Sequence, residues 1–346
     1  MSLIRQSIKQ KTSNVLFSTM NNVDNNKKPT VSVVMATYNG EKWIREQLDS
    51  IIEQTYPIYE LIIQDDCSTD STLNIIKEYE EKYAFIHVHK NKKNLGYSEN
   101  FKNVTLKASG DYIALADQDD IWYPNKLERQ IEAIGKSDLC YAQHHQGYDR
   151  TNLRLVDYKC APEHQMFTPI VGHSMLMRRE YAQDTRNWLN YMSHDFGLGA
   201  FAHFENGVTK VNEPLNWHRS HEGQASAKKH ITTAPDGRKS SSTEGIIDLF
   251  KPYIFGYKYY RKLQNHQNFI RFYETICERS NGRNELCHII SKLLLSPGFF
   301  PLIKLCFLCM THRDTIYPTK TKRIMGYIRG FFFPFIHSYK CDLYLQ

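Results

Sequence analysis

Between Thr30 and Ala116 four short β-favouring runs are separated by three stretches whose apolar residues recur every three or four positions, and this alternation leaves few folds open. VSVVMA (Val31 to Ala36), ELIIQ (Glu60 to Gln64), FIHVH (Phe85 to His89) and DYIALA (Asp111 to Ala116) read as strands. Trp43, Ile44, Leu48, Ile51 and Ile52 line one face of a helix that ends before Tyr56 and Pro57. Leu73, Ile76 and Tyr79 line a second, which Asp70 is placed to cap, and a third runs from about Ser98 to Lys107. Strands joined by helices run parallel, so the expected fold is α/β: the βαβαβαβ half of a nucleotide-binding domain. A further helix from about Asn125 to Ile134 is clear, but beyond Asp120 the regularity weakens, as where a sheet gives way to loops around a second substrate.

Length and composition bound the rest. At 346 residues the chain exceeds one average core, which predicts a large domain plus an appendage. An apolar fraction of 41% with a mean hydropathy of -0.54 excludes a polytopic membrane protein. Residues 1–29 lack the apolar core of a signal peptide and read as poorly structured, which points to a cytoplasmic protein with reduced thiols. The eight cysteines then read as packing groups, including Cys306 and Cys309 in PLIKLCFLCM, which have no second CxxC beside them. The polar run ASAKKHITTAPDGRKSSSTEG (Ala225 to Gly245) marks a boundary: a folded domain at 30–226, split near 120 into 30–120 and 121–226, then a linker or mobile loop at 227–245.

Residues 246–346 read as helical, aromatic and basic. From Pro301 onward, seven Lys or Arg face two Asp within a chain of net charge +7. The aromatics cluster with aliphatics rather than at base-stacking intervals, which argues against nucleic acid. The patches Phe299 to Met310 and Ile324 to Ile336 fall short of the roughly 20 residues that span a bilayer, and Pro301, Lys304 and Pro334 interrupt them. Two readings stay open: peripheral docking on an anionic membrane, at the inner face of the cytoplasmic membrane, or a helical cap packed on the main domain.

The chemistry is carried by acidic clusters at strand ends. DQDD (Asp117 to Asp120) follows the fourth strand, Asp65 and Asp66 follow the second, and ATYNG (Ala36 to Gly40) closes the first, all at one sheet edge. Open parallel sheets bind ligands at that edge. Three carboxylates in four residues repel one another and fit a hard divalent cation beside an anionic ligand such as a diphosphate. The plainer alternative is an exposed acidic turn starting the next helix.

VSVVMATYNG, ELIIQDDCSTDST, NLGYSENFKN and YIALADQDDIWYPNKL, in this order and spacing, closely resemble the family 2 glycosyltransferases, and within them a bacterial rhamnosyltransferase-like branch. The resemblance spans about Thr30 to Ser226. It implies a GT-A fold, a Rossmann-like mixed sheet flanked by helices, here with a C-terminal helical extension. It also implies an inverting, metal-dependent enzyme that moves a sugar from a nucleoside diphosphate to a hydroxyl of a glycan or lipid-linked glycan, in bacterial surface polysaccharide assembly. By that resemblance Thr37 and Tyr38 frame the nucleotide, Asp65 and Asp66 bind it with Asp66 on the base, and Asp117 and Asp119 form the DxD motif that holds Mn2+ or Mg2+. Asp119 is then a direct ligand, Asp117 also meets the donor, and Asp120 either backs the metal or caps a helix.

VGHSMLMRRE (Val171 to Glu180) resembles the segment before the acceptor site, and YMSHDFGLGAF (Tyr191 to Phe201) the segment with the catalytic base. Asp195 would be that base, with His194 standing where many members carry Glu; a helix N-cap is the alternative for Asp195. In WHRSHEGQAS (Trp217 to Ser226) the resemblance implies His221 as third metal ligand and Arg219 as a phosphate contact. Rival classes are a nucleotide-sugar-binding protein without transfer activity, and a sugar nucleotidyltransferase. The latter wants a Gly-rich basic loop after the first strand, which ATYNGEKW is not.

Overall fold

The computed structural model describes residues 28–221, 243–317 and 324–342. The four early runs form β1 (Val31–Thr37), β2 (Glu60–Asp65), β3 (Ile86–Lys90) and β4 (Tyr112–Asp117). They pair in parallel in the order β3-β2-β1-β4, because each connection is a helix crossing the sheet: α1 (Ile44–Ile52), α2 (Thr72–Lys82) and α3 (Tyr97–Thr105). Both faces of β1, β2 and β4 are covered, which is why these strands read as apolar runs, whereas β3, at the sheet edge, alternates as IHVHK. Val33 and Met35 join Leu48 and Ile51 of α1 in one core, while Val34 joins Phe101 and Val104 of α3 in the other. Helix α2 starts one residue later than the capping expectation. Its N-cap is Ser71, and Asp70 instead ties Thr72 N (3.0 Å) to Glu41 N (3.1 Å), joining the helix to the loop after β1.

Beyond Asp120 the sheet continues where loops were expected. It gains β5 (Ile121–Trp122), β6 (Leu139–Gly147), β7 (Arg154–Val156), β8 (Met175–Arg178) and β9 (Val208–Arg219), with α4 (Lys126–Ile134), α5 (Pro162–Gln165), α6 (Arg179–Gln183) and α7 (His194–Ala202) around them. The full order is β3-β2-β1-β4-β8-β6-β9-β5, with β7 on β6; β8 runs antiparallel to both its neighbours, and β6 and β9 are parallel. These strands escape a periodicity reading because β6 ends in QHHQG and β9 contains Pro214, which sits opposite Gln143 where the register shifts. The mixed sheet with flanking helices is the expected GT-A architecture.

The C-terminal part is helical: α8 (Thr243–Gln264), α9 (Gln267–Ser280), α10 (Glu285–Leu295), α11 (Phe299–Thr311), α12 (Arg313–Ile316), α13 (Ile324–Phe331) and α14 (Phe333–Asp342). From Val31 on, the chain is one compact unit. Phe272, Tyr273, Ile276 and Leu305 share a core with Met166, Phe167, Phe201 and Phe204 of the sheet domain. Polar bonds pin the seam: Tyr273 OH donates to Met166 O (2.9 Å), Arg279 to Asn187 Oδ1 (2.8 Å), and His164 Nδ1 to Ile316 O (2.9 Å). The linker expected at 227–245 lies outside the described residues except for its last three, which open α8, and of the segment 1–29 only residues 28 and 29 are described. Among the described residues no helix is long and apolar enough to cross a membrane. All eight cysteines are free, with Cys306 and Cys309 buried on α11.

Helix α8 touches α14 at Gly256, where an added Cβ would lie 2.3 Å from Cβ of Phe335. Gly256→Ala is therefore expected to force the helices apart and destabilise the protein by about 1–3 kcal/mol in denaturant unfolding. Unchanged stability would mean that the two helices are not in this contact.

Candidate active site

Strand pairing sets the site. Opposite the end of β1, Thr37 aligns with Asp65 on one side and Ala36 with Asp117 on the other, so the two acidic strand ends flank the TYNG loop. Gln118 crosses that loop, accepting from Tyr38 N (2.9 Å) and donating to Tyr38 O (3.0 Å). Its side chain passes so close to Gly40 that a Cβ there would lie 2.4 Å from its Oε1 and would displace the amide from Tyr38. Tyr38 itself is half exposed over the edge, whereas Thr37 is buried and donates to Asp65 (3.3 Å).

The second acidic pair is turned inward. Asp65 accepts from Ser68 N (3.0 Å) as well as from Thr37, and Asp66 accepts from Asn91 Nδ2 (2.7 Å), Leu95 N (2.8 Å) and Gly96 N (2.8 Å). Both carboxylates are buried, and these bonds order the loops that follow β2 and β3.

Strand β5 is only two residues long, yet it decides how DQDD is met. Ile121 pairs with Trp217, which lays the end of β9 across the acidic turn. His221 Nε2 then lies 2.8 Å from Asp119 Oδ2, and Arg219 Nε donates to the Asp119 carbonyl (3.2 Å). The guanidinium of Arg219 stacks between the rings of Trp43 (4.4 Å) and Trp217 (4.8 Å) and pairs with Glu46 at 2.9 Å. Arg219 thus braces the acidic turn, and its contacts are with protein groups.

Asp120 was expected to be a metal-backing residue or a helix cap. It caps no helix, since α4 starts at Lys126 behind Asn125. Fully buried, it meets His218 Nδ1 at 2.9 Å, Asn216 Nδ2 at 3.3 Å and His173 Nδ1 at 3.4 Å. Asp120, His173 and His218 are the one set of three among the described residues whose ligand-type atoms all approach within 4.8 Å. Burial opposes a charged His218, but the Asp120 carboxylate, followed by Asp117 and Asp119, outweighs it and lifts the imidazole to about 9. His173, stacked on His218 with centroids 4.6 Å apart, is held well below its usual value by burial and by that charge. At neutral pH the cluster therefore sets an imidazolium at His218 against Asp120, whose own pKa burial raises, beside a neutral imidazole at His173. His173, Asn216 and His218 were not singled out in the sequence. Reading WHRSH as a strand would have found the split, because period two sends Arg219 and His221 to one side and His218 to the other.

Asp117 is pushed well above the usual carboxylate range by burial first, then by Asp120 and Asp119, with Asp195 adding to it. That coupling brings in the fourth carboxylate. Asp195 is the second residue of α7, whose N-cap is Ser193, and it lies 3.1 Å from His194 Nε2, in ion-pair range but without hydrogen-bond alignment. His194 is buried among the rings of Phe101 (5.0 Å), Trp188 (5.6 Å) and Tyr97 (6.0 Å), and burial lowers its pKa, so it is neutral. Gly172 backs the pair: a Cβ there would sit 2.8 Å from His194 Nε2 and 2.9 Å from Asp195 Oδ1.

Asp119 and His221 are of the ligand types a hard divalent cation takes, but with Asp117 they do not converge within 4.8 Å in this structure as Asp120, His173 and His218 do. The 2.8 Å between Asp119 Oδ2 and His221 Nε2 approaches the roughly 3 Å edge of an octahedral ion with ligands at about 2.1 Å. The mutual repulsion that raises Asp117 is what a dication relieves.

Residues 32–204, half of the chain, match the profile of Glycosyl transferase family 2, and the chain belongs to that family. It is 40% identical over 117 residues to the "Putative teichuronic acid biosynthesis glycosyltransferase TuaG" of Bacillus subtilis (strain 168), covering 34% of this chain and 46% of the relative. It is 44% identical over 115 residues to the "dTDP-rhamnosyl transferase RfbG" of Shigella flexneri, covering 31% of this chain and 39% of the relative. The chain thus spans less than half the length of these two relatives. The crystal structure of S. aureus TarS 1-349 in complex with UDP-GlcNAc superposes with a TM-score of 0.53 at 16% identity, covering 90% of this chain and 92% of that one, which shows a shared fold.

The His218–Asp120 pair has a stability signature. His218 has a folded value of about 9 against roughly 6.5 unfolded, so its contribution is complete below about pH 6.5 and is lost as pH rises through about 9. In metal-free buffer the melting-temperature gap between wild type and His218→Gln is expected to be widest near pH 6, corresponding to about 3 kcal/mol at most, and to close by about pH 10. A gap independent of pH would show that His218 is neutral in the folded protein.

Proposed function

We propose that the chain is an inverting, metal-dependent glycosyltransferase, transferring a sugar from a nucleoside diphosphate to a hydroxyl of a glycan or lipid-linked glycan. The observation that carries this is the meeting of Asp119 and His221 over the end of β4, with Asp195 close enough to Asp117 to raise its pKa. One edge thereby offers both a seat for a pyrophosphate with its counter-ion and a carboxylate beside it. The relatives' printed names, teichuronic acid biosynthesis and dTDP-rhamnosyl transfer, support a role in surface polysaccharide assembly.

In this reading Asp117, Asp119 and His221 hold Mn2+ or Mg2+, which supplies, when bound, neutralisation of the charge on the departing nucleoside diphosphate. Thr37 and Tyr38 frame the nucleotide, and Asp65 and Asp66 serve it by ordering the loops that contact the base. Arg219, which also donates to the Asp119 carbonyl, contacts the donor's phosphates. Asp195 Oδ1 is buried against His194 and Gly172, while the side chain as a whole keeps 23% exposure, so the other carboxylate oxygen is the one to take the acceptor's proton as its oxygen attacks the anomeric carbon. Attack from the side opposite the leaving group inverts that centre.

Asp195→Asn is expected to keep donor binding and lose transfer by roughly 100-fold or more. Asp119→Ala should lose metal-dependent donor binding as well, and wild-type transfer in either variant would refute the assigned role. EDTA should abolish transfer, and Mn2+ or Mg2+ restore it; activity persisting after thorough metal removal would overturn the metal reading. Gly172→Ala, which presses on both His194 and Asp195, is expected to lower kcat roughly tenfold or more with little change in donor KM.

A further inference from the structure

The C-terminal helices lie outside the residues that match the family, and their outer surface is unusual for a soluble fold. Each of α8, α11 and α13 is apolar on two sides. On α11, Leu302, Leu305, Cys306 and Cys309 face the core, yet Phe299, Phe300 and Phe307 face outward, with Phe300 83% exposed. On α13 the inward positions are Gly326 and Gly330, while Ile324 (77% exposed) and Met325 point out. On α8, Tyr260 and Leu263 are buried, and Phe250 and Ile254 are turned outward.

These faces are joined. Phe307 of α11 meets Phe331 of α13 with centroids 5.3 Å apart, and Gly330 lets α13 press on Met310 and Arg313. Phe332, in the one-residue turn between α13 and α14, meets Tyr253 of α8 at 5.3 Å. The result is a broad apolar surface in place of scattered single residues, and surfaces of that kind mark an interaction site.

Cations lie within this surface as well as around it. Lys304 sits on the outward side of α11 between Phe300 and Phe307, Lys258 is exposed next to Tyr257 on α8, and Arg329 follows Ile328 on α13. The core of a protein–protein interface is depleted in lysine, whereas at a bilayer surface lysine stems lie along apolar neighbours and their ammonium groups reach phosphate. No described helix can span the bilayer, so the helices would lie in its interface.

We propose that α8, α11 and α13 form a docking surface for a bilayer with anionic headgroups, the outward Phe, Ile and Met side chains entering the acyl boundary and the Lys and Arg side chains engaging lipid phosphates. Helix α9, in the same helical unit, touches α7 through Phe272 and Phe196 (5.7 Å), so docking would hold the helix that carries Asp195 close to a lipid-borne acceptor. The docking itself is independent of the transfer reading; only this last consequence rests on it.

The test is co-sedimentation of the full chain with vesicles of phosphatidylglycerol and phosphatidylcholine, against phosphatidylcholine alone, at about 0.1 M salt. Binding is expected to the anionic vesicles, at least tenfold weaker to the neutral ones, and weakened by high salt. Phe300→Ser with Ile324→Ser, and separately Lys258→Ser with Lys304→Ser, are each expected to reduce binding tenfold or more while circular dichroism and transfer to a water-soluble acceptor stay unchanged. Equal binding to both vesicles, no binding to either, or a Phe300/Ile324 variant altered in self-association instead of vesicle binding would overturn the proposal, the last identifying the surface as a contact between copies. Loss of transfer to the soluble acceptor in wild type would count against the enzymatic reading and leave the docking result standing.

Discussion

Carboxylates crowded at the end of one buried strand are the constraint around which this molecule is organised. Asp117, Asp119 and Asp120 lie within four residues, and burial together with mutual repulsion raises Asp117 and Asp120. Such a cluster persists only with compensating groups. The end of β9 supplies them, with His218 against Asp120 and His221 against Asp119. The two-residue β5 exists to make that meeting: it turns the chain after DQDD so that β9 can pair with it.

The compensation has two layers with different chemistry. Beneath, Asp120 and His173 are buried, and Asp120 is met by His218, whose side chain keeps 18% exposure. Above, Asp119 and His221 are partly exposed and open toward the edge where a diphosphate would lie. Arg219 works between the layers, clamped by Trp43, Trp217 and Glu46 and holding the backbone of the acidic turn.

The two expectations for the C-terminal region turn out not to be exclusive. The helices cap the sheet domain through a common core, and the same helices carry an apolar, basic outer side. Helices buried on one side only would alternate polar and apolar faces. Of the two expectations the shared core bears on the helical cap, and hydropathy alone had no means of separating the covered side of these helices from the open one.

The local periodicities of β1 to β4 and their helices were legible because β1, β2 and β4 carry apolar runs, β3 alternates, and each helix has one apolar face, patterns that depend on neighbours within a few residues. The acidic edge was legible for the same reason, since every parallel strand ends at the same side of the sheet. What the sequence could not set was the pairing of side chains far apart in the chain. Asp120 meets His218 across 98 positions and Asp119 meets His221 across 102, and both depend on the register of β9 against β5, which is too short for a periodic signal, and β6, whose pairing with β9 is bulged. Residue types and strand ends therefore followed from the chain itself. Which carboxylate is enclosed and which stays open followed only from the fold, because burial and partner distance are properties of the packed sheet rather than of any segment.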